Sequence, residues 1–118
     1  MKDTLTDEQI NDLIVTAIEG GINYWCWQVS LKEGTIKPEQ QSKLRYLSDC
    51  ISLGGTLILH DAESSESWEL TKEKFLKGIE KTLEWGGSAN VQDLFDNHDA
   101  DVADVLIQFS IFDKIVFG

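Results

Sequence analysis

At 118 residues, with 42% hydrophobic residues and a single proline, the chain is long enough to bury one core and too apolar to be disordered. Its formal net charge of −11 argues against direct binding to nucleic acid or an anionic membrane and favours attraction to basic protein surfaces. No stretch approaches the ~18 apolar residues of a membrane span and no basic segment precedes an apolar run, so a soluble, cytosolic protein is expected, with Cys26 and Cys50 reduced and buried.

Thr6 and Gln9 have the spacing of a capping box, and Leu5 with Ile10 that of a hydrophobic staple, so a helix is predicted to begin here. Asp7 and Glu8 suit its first turn, Ile10, Leu13, Ile14, Ala17 and Ile18 form one apolar stripe, and Gly20-Gly21 is the natural end. The period then changes to two. Trp25, Trp27, Val29 and Leu31 share one face and Tyr24, Cys26, Gln28 and Ser30 the other, which predicts a strand over 22–31 with the tryptophan face buried. The rival reading continues the helix through the glycines, because Ile22 and Trp25 extend its stripe.

Pro38 suits the first turn of a second helix, and Leu44, Leu47, Cys50 and Ile51 recur at helical spacing, predicting an amphipathic helix over 39–53 that Gly54-Gly55 stops. "TLILHD" and "SWELT" predict an antiparallel hairpin joined through "AESSE". Thr71 then caps a third helix, with Leu70 stapled to Phe75 and Phe75, Leu76, Ile79 and Leu83 facing inward, closed by Gly86-Gly87. After a loop, "NVQDLFDNHDAD", Asp101 is the expected cap of the last helix, whose stripe is Val102, Val105, Leu106, Phe109 and Phe112; "KIVFG" is a candidate fourth strand. The whole predicts one α+β domain over 1–118, with about four helices on one side of a small, mostly antiparallel sheet of about four strands.

Chemistry-bearing motifs are sparse. With two histidines, no nucleophile elbow, no phosphate-binding or dinucleotide fingerprint and no cysteine beside activating bases, the chain is not expected to be an enzyme. A repeated tripeptide, His60-Asp61-Ala62 and His98-Asp99-Ala100, offers imidazole and carboxylate ligands for zinc if the two meet, with Cys26 and Cys50 as further thiolates, although those intervals match no zinc module. "DNHDADVAD" lacks the glycine and glutamate a calcium loop needs, so a capped helix start is expected there. Trp25, Trp27 and Trp68 fall on predicted strands, but a stacking platform needs cationic surroundings, and at least two of the three are expected in the core.

The charge is more telling in its layout. Residues 3–31, 46–71 and 82–113 contain no lysine or arginine, which leaves Asp61, Glu63, Glu66 and Glu69 around the hairpin and Asp93, Asp96, Asp99, Asp101 and Asp104 around the last helix unopposed in sequence. Three strings, "LTDEQINDLIVTAIEGGINYWC", "GGTLILHDAE" and "DADVADVLIQFSIFDKIVFG", together resemble small acidic proteins of bacteriophages and prophages, mostly without assigned function. The resemblance implies a protein made inside an infected bacterium and brings no catalytic or binding residues with it. By class it is similar to anti-defence factors such as anti-CRISPR proteins, which occupy basic nucleic-acid grooves of nucleases. The expected function is therefore inhibition of a host defence nuclease, such as a Cas effector, through those nine carboxylates and without a cofactor. The alternatives are a zinc protein using His60, Asp61, His98 and Asp99, or an accessory phage protein with no host target.

Overall fold

The computed structural model describes residues 4–118. Thr6 caps helix α1 (Asp7–Thr16): its hydroxyl accepts the Gln9 N–H at 3.1 Å while the Gln9 side chain accepts the Thr6 N–H at 3.0 Å, the reciprocal box that its spacing predicts. The helical path widens into a π-type turn at Ala17–Gly21. The chain continues through β1 (Cys26–Leu31), two 3-10 turns (Pro38–Lys43 and Leu47–Asp49), β2 (Leu57–Asp61), β3 (Ser67–Leu70), α2 (Lys72–Gly86), α3 (Val91–Asp96) and α4 (Ala100–Phe112). No helix among the described residues is long and apolar enough to cross a membrane.

The sheet has three strands in the order β1-β2-β3, both pairs antiparallel. Register places Val29, Leu31, Leu57, Leu59, Trp68 and Leu70 on the face that packs into the core, and Gln28, Ser30, Ile58, His60, Ser67 and Glu69 on the opposite face. The predicted hairpin is thus present, but the fourth strand is not: Lys114–Gly118 carries no strand hydrogen bonding and is held by a side chain instead.

Helix α4 is the centre of the fold. Ala103, Asp104, Val105, Leu106, Ile107, Gln108 and Ser110 are all buried, so burial extends well around the helix, as expected when it is sandwiched rather than laid on a surface. Helix α2 approaches it through Gly78, where a Cβ would stand 2.9 Å from the Leu106 carbonyl oxygen and 3.0 Å from Ser110 Cα. The α2 start follows prediction, with the Thr71 hydroxyl accepting the Lys74 N–H and Leu70 and Phe75 both buried. Its end does too, because Gly87 adopts φ 68°, a left-handed cap that costs a glycine little.

Five other expectations fail. Residues 39–53 form no amphipathic helix: the Asp49 carboxylate accepts the Arg45 and Tyr46 N–H groups, each at 3.0 Å, and this cap restarts the chain at Leu47. The cap of α4 is Asp99, whose carboxylate accepts the Val102 N–H at 2.9 Å, and not Asp101. The presumed loop before it contains α3, capped by Asn90, and Leu76 stands out from α2 at 44% exposure. Finally, the alternation of residues 24–31 is broken. The ladder pairs Cys26 with Asp61 and Gln28 with His60, so Trp27 is the extra residue of a β-bulge; Trp25 and Cys26 are both buried and Trp27 is exposed.

The Gly78 contact yields a direct test. Gly78→Ala should lower the unfolding free energy by about 1–3 kcal/mol through overpacking against α4. Gly86→Ala, whose new Cβ would meet nothing closer than Ser88 Oγ at 3.9 Å, should be neutral or stabilising in the same urea titration.

Candidate functional site

The turn between the π segment and β1 is organised by one carboxylate. Asp104 Oδ1 accepts the Trp25 indole N–H at 2.8 Å and the Gln108 amide N–H at 2.9 Å, while Oδ2 accepts the Tyr24 hydroxyl at 2.6 Å. Such charge-assisted bonds are the strong class, and they leave this buried carboxylate well satisfied. The other end of Gln108 reads the tail: Oε1 accepts the Val116 and Phe117 N–H groups at 2.7 and 2.8 Å, and Nε2 donates to the Phe117 carbonyl at 3.1 Å. A glutamine amide thus stands in for the neighbouring strand that "KIVFG" was expected to have. Those three bonds, at about 1 kcal/mol each, roughly balance the ~2–4 kcal/mol of backbone entropy lost on ordering two residues. The Phe117 ring, stacked on Trp25 at 5.0 Å and 7°, therefore tips the balance toward a docked tail. Trp68 closes the cluster, edge-on to Trp25 at 5.8 Å and to Phe112 at 4.9 Å.

The nine carboxylates chosen from the sequence separate into different roles. Asp104 is internal and no part of a surface, which corrects its assignment to a binding face: α4 presents it to Trp25 and Gln108. Asp61 holds the hairpin loop by accepting the Glu63 N–H and the Ser64 hydroxyl. Asp93 accepts the Ala89 N–H and the Asn97 side chain, Asp99 caps α4, and Asp96 accepts the Gln92 side chain. Glu69 is paired with Lys32 at 2.7 Å, and this cation holds its carboxyl below the ordinary value. Glu63, Glu66 and Asp101 are exposed.

The His-Asp pairs sit in unlike surroundings. His60 lies on the outer sheet face, with Nε2 3.1 Å from Ser30 Oγ and its ring beside Trp27 at 6.1 Å. His98 is braced between Phe95, whose carbonyl lies 2.6 Å from Nδ1, and the Thr16 hydroxyl, 3.1 Å from Nε2. Among the described residues no group of three or more histidine, cysteine, aspartate or glutamate side chains is placed to hold a metal ion. Cys26 and Cys50 are buried thiols as expected, and burial raises both, Cys50 to about 11. Neither is a reactive thiolate at neutral pH.

Sequence reasoning missed the Ser30–His60 pair and the Trp25–Asp104–Gln108 chain. The first could have been found from the shared outer face of two predicted strands. The second had one signal, an aspartate and a glutamine at i, i+4 within the apolar run of α4. Ser30 and His60 lie on an open sheet face, and no carboxylate among the described residues bonds the other ring nitrogen of His60 to complete a triad.

Tyr24 carries a pH signature of this network. Although its ring is largely exposed, partial burial of the hydroxyl, then its hydrogen bond to Asp104 and the charge of that carboxylate, raise its pKa from 10.0 to about 12. Because the folded value lies above the unfolded one, the stabilisation is present in full below pH 10 and is lost as the pH rises towards 12. Phenolate absorbance should therefore show a step near pH 12 that Tyr24→Phe removes. A Tyr24 step at pH 10 would show that the bond to Asp104 is not kept in solution. In comparisons with protein-family models, curated proteins and solved structures, the chain has no significant match.

Proposed function

We propose that this protein is an acidic binding domain that covers a basic, nucleic-acid-handling surface of a host defence nuclease, in the manner of an anti-CRISPR protein made by a phage inside the infected cell. One observation carries the reading. Ion pairs among the described residues join Lys32 to Glu69, Lys72 to Asp7, Lys77 to Glu73 and Lys81 to Asp113, and none of them neutralises a carboxylate within residues 46–68 or 82–112. Those stretches present Glu63, Glu66, Asp96 and Asp101 to solvent from a hairpin loop and from the α3–α4 region, with the Glu63 and Glu66 backbone N–H groups and the Asp96 carboxylate held by local hydrogen bonds.

Carboxylates carried on a hydrogen-bonded backbone meet the lysine and arginine side chains of a phosphate-binding groove at a smaller ordering cost than those of a disordered tail. Opposite fields also steer the encounter, so association is fast and salt-sensitive. The same field disfavours direct contact with nucleic acid. Removing Asp104 from the binding set sharpens this reading, because the internal carboxylate supports the fold and the loop carboxylates are the ones available to a partner.

The test is genetic. Expressed in a panel of bacteria with active defence nucleases, the protein should restore plaque formation by a targeted phage on at least one host, and Glu63→Lys with Glu66→Lys should reduce the rescue. Unchanged plaque counts on every defended host would overturn the proposal and favour an accessory role without a host target.

A further inference from the structure

We propose that the end of the sheet centred on Trp27 is the contact surface, and that it takes an arginine-bearing basic segment of the partner protein, with the guanidinium stacked on the indole. This rests on the acidic-binding reading above and adds a place and a chemistry to it. The bulge in β1 is the starting observation. By simple alternation Trp27 would follow Val29 and Leu31 into the core, yet the extra residue turns Cys26 inward and leaves Trp27 outward, 65% exposed. Bulges re-aim side chains in this way, and a tryptophan held out of the core retains a large apolar face for a partner.

What surrounds the indole selects the partner. Ala62 N–H donates to the Trp25 carbonyl at 2.8 Å and Asp61 N–H to the Glu66 carbonyl at 3.0 Å, so the loop bearing Glu63 and Glu66 is anchored next to the bulge. Asp61 braces that loop further through Glu63 and Ser64. Lys32, beyond the opposite end of β1, is already paired with Glu69. The indole has the His60 ring beside it at 6.1 Å and the loop bearing Glu63 and Glu66 anchored at the same end of the sheet. An exposed indole with an acidic loop at its end of the sheet repels the phosphates that a stacked nucleobase would bring, and it suits a guanidinium, which stacks on aromatic faces while its neighbours meet the acids. Around the other strongly exposed tryptophan, Trp85 at 52%, stand Glu84 and Lys81, the latter paired with Asp113, so an acid and a cation lie side by side there.

Titration of the labelled full chain with an arginine nonapeptide and a lysine nonapeptide at low salt, followed by backbone and indole N–H resonances, tests the proposal. The arginine peptide should bind more tightly than the lysine peptide and shift the Trp27 indole and residues 24–30 and 60–66. Trp27→Leu should weaken arginine-peptide binding about fivefold and abolish the preference for arginine, while Trp85→Leu leaves both unchanged. Trp27 is mostly exposed, so the variant's thermal midpoint should match the wild type and show that the fold is intact. If the wild type binds but the shifts fall on α3 and α4, or if Trp27→Leu keeps the arginine preference, this surface is wrong and the acidic-binding reading stands. Binding of neither peptide by the wild type overturns both.

Discussion

The buried Asp104 carboxylate is the constraint on which the rest of the structure depends. A charge in the interior is tolerated only when its oxygens are satisfied, and here the donors come from segments far apart in sequence: Tyr24 and Trp25 before β1, and Gln108 one turn along α4. Meeting that demand fixes where Trp25 lies, and Trp25 in turn receives Phe117 and Trp68. Its carbonyl accepts the Ala62 N–H, which ties the hairpin loop to the same point. Residues from all three strings singled out in the sequence therefore meet at Trp25. The close approach of the π turn to α4 belongs to the same arrangement, since a Cβ on Gly21 would stand 2.9 Å from the Ala100 carbonyl oxygen.

Much of this was legible where the signal was local. Capping at Thr6 and Thr71, the helix end at Gly87 and the β2–β3 hairpin depend on residues within a few positions of one another, and each forms as its spacing predicts. What failed depended on partners distant in sequence or on a choice between competing local bonds. Residues 39–53 have a helical stripe, but Asp49 bonds backward to Arg45 and Tyr46, and a stripe cannot reveal that competition. The tail "KIVFG" has strand-like composition, and only the fold reveals that its backbone partner is the Gln108 side chain. Two of three tryptophans pack in or against the core, as expected, but the alternation that assigned Trp27 to it is broken by a single inserted residue.

The acidic surface was legible as charge and not as geometry. Counting carboxylates between bases located the two regions, yet it could not separate Asp104, committed to the interior, from Glu63, Glu66 and Asp101, which face solvent. Nor could it show that Asp61, Asp93 and Asp99 already accept backbone N–H groups and so stiffen the segments that carry their neighbours. One small α+β scaffold thus carries hydrogen-bonded loops, carboxylates without ion pairs and an outward indole. Each part has an ordinary structural cause, and their coincidence at the hairpin end of the sheet is what supports the proposal of a basic protein partner.

The most direct measurement is competition in a purified system. With a defence nuclease that the protein protects against in cells, the account predicts that adding this protein lowers the nuclease's binding to its nucleic acid in a dose-dependent way, with an effect that fades as salt is raised. Nucleic-acid binding that stays unchanged at saturating protein and low salt would contradict it.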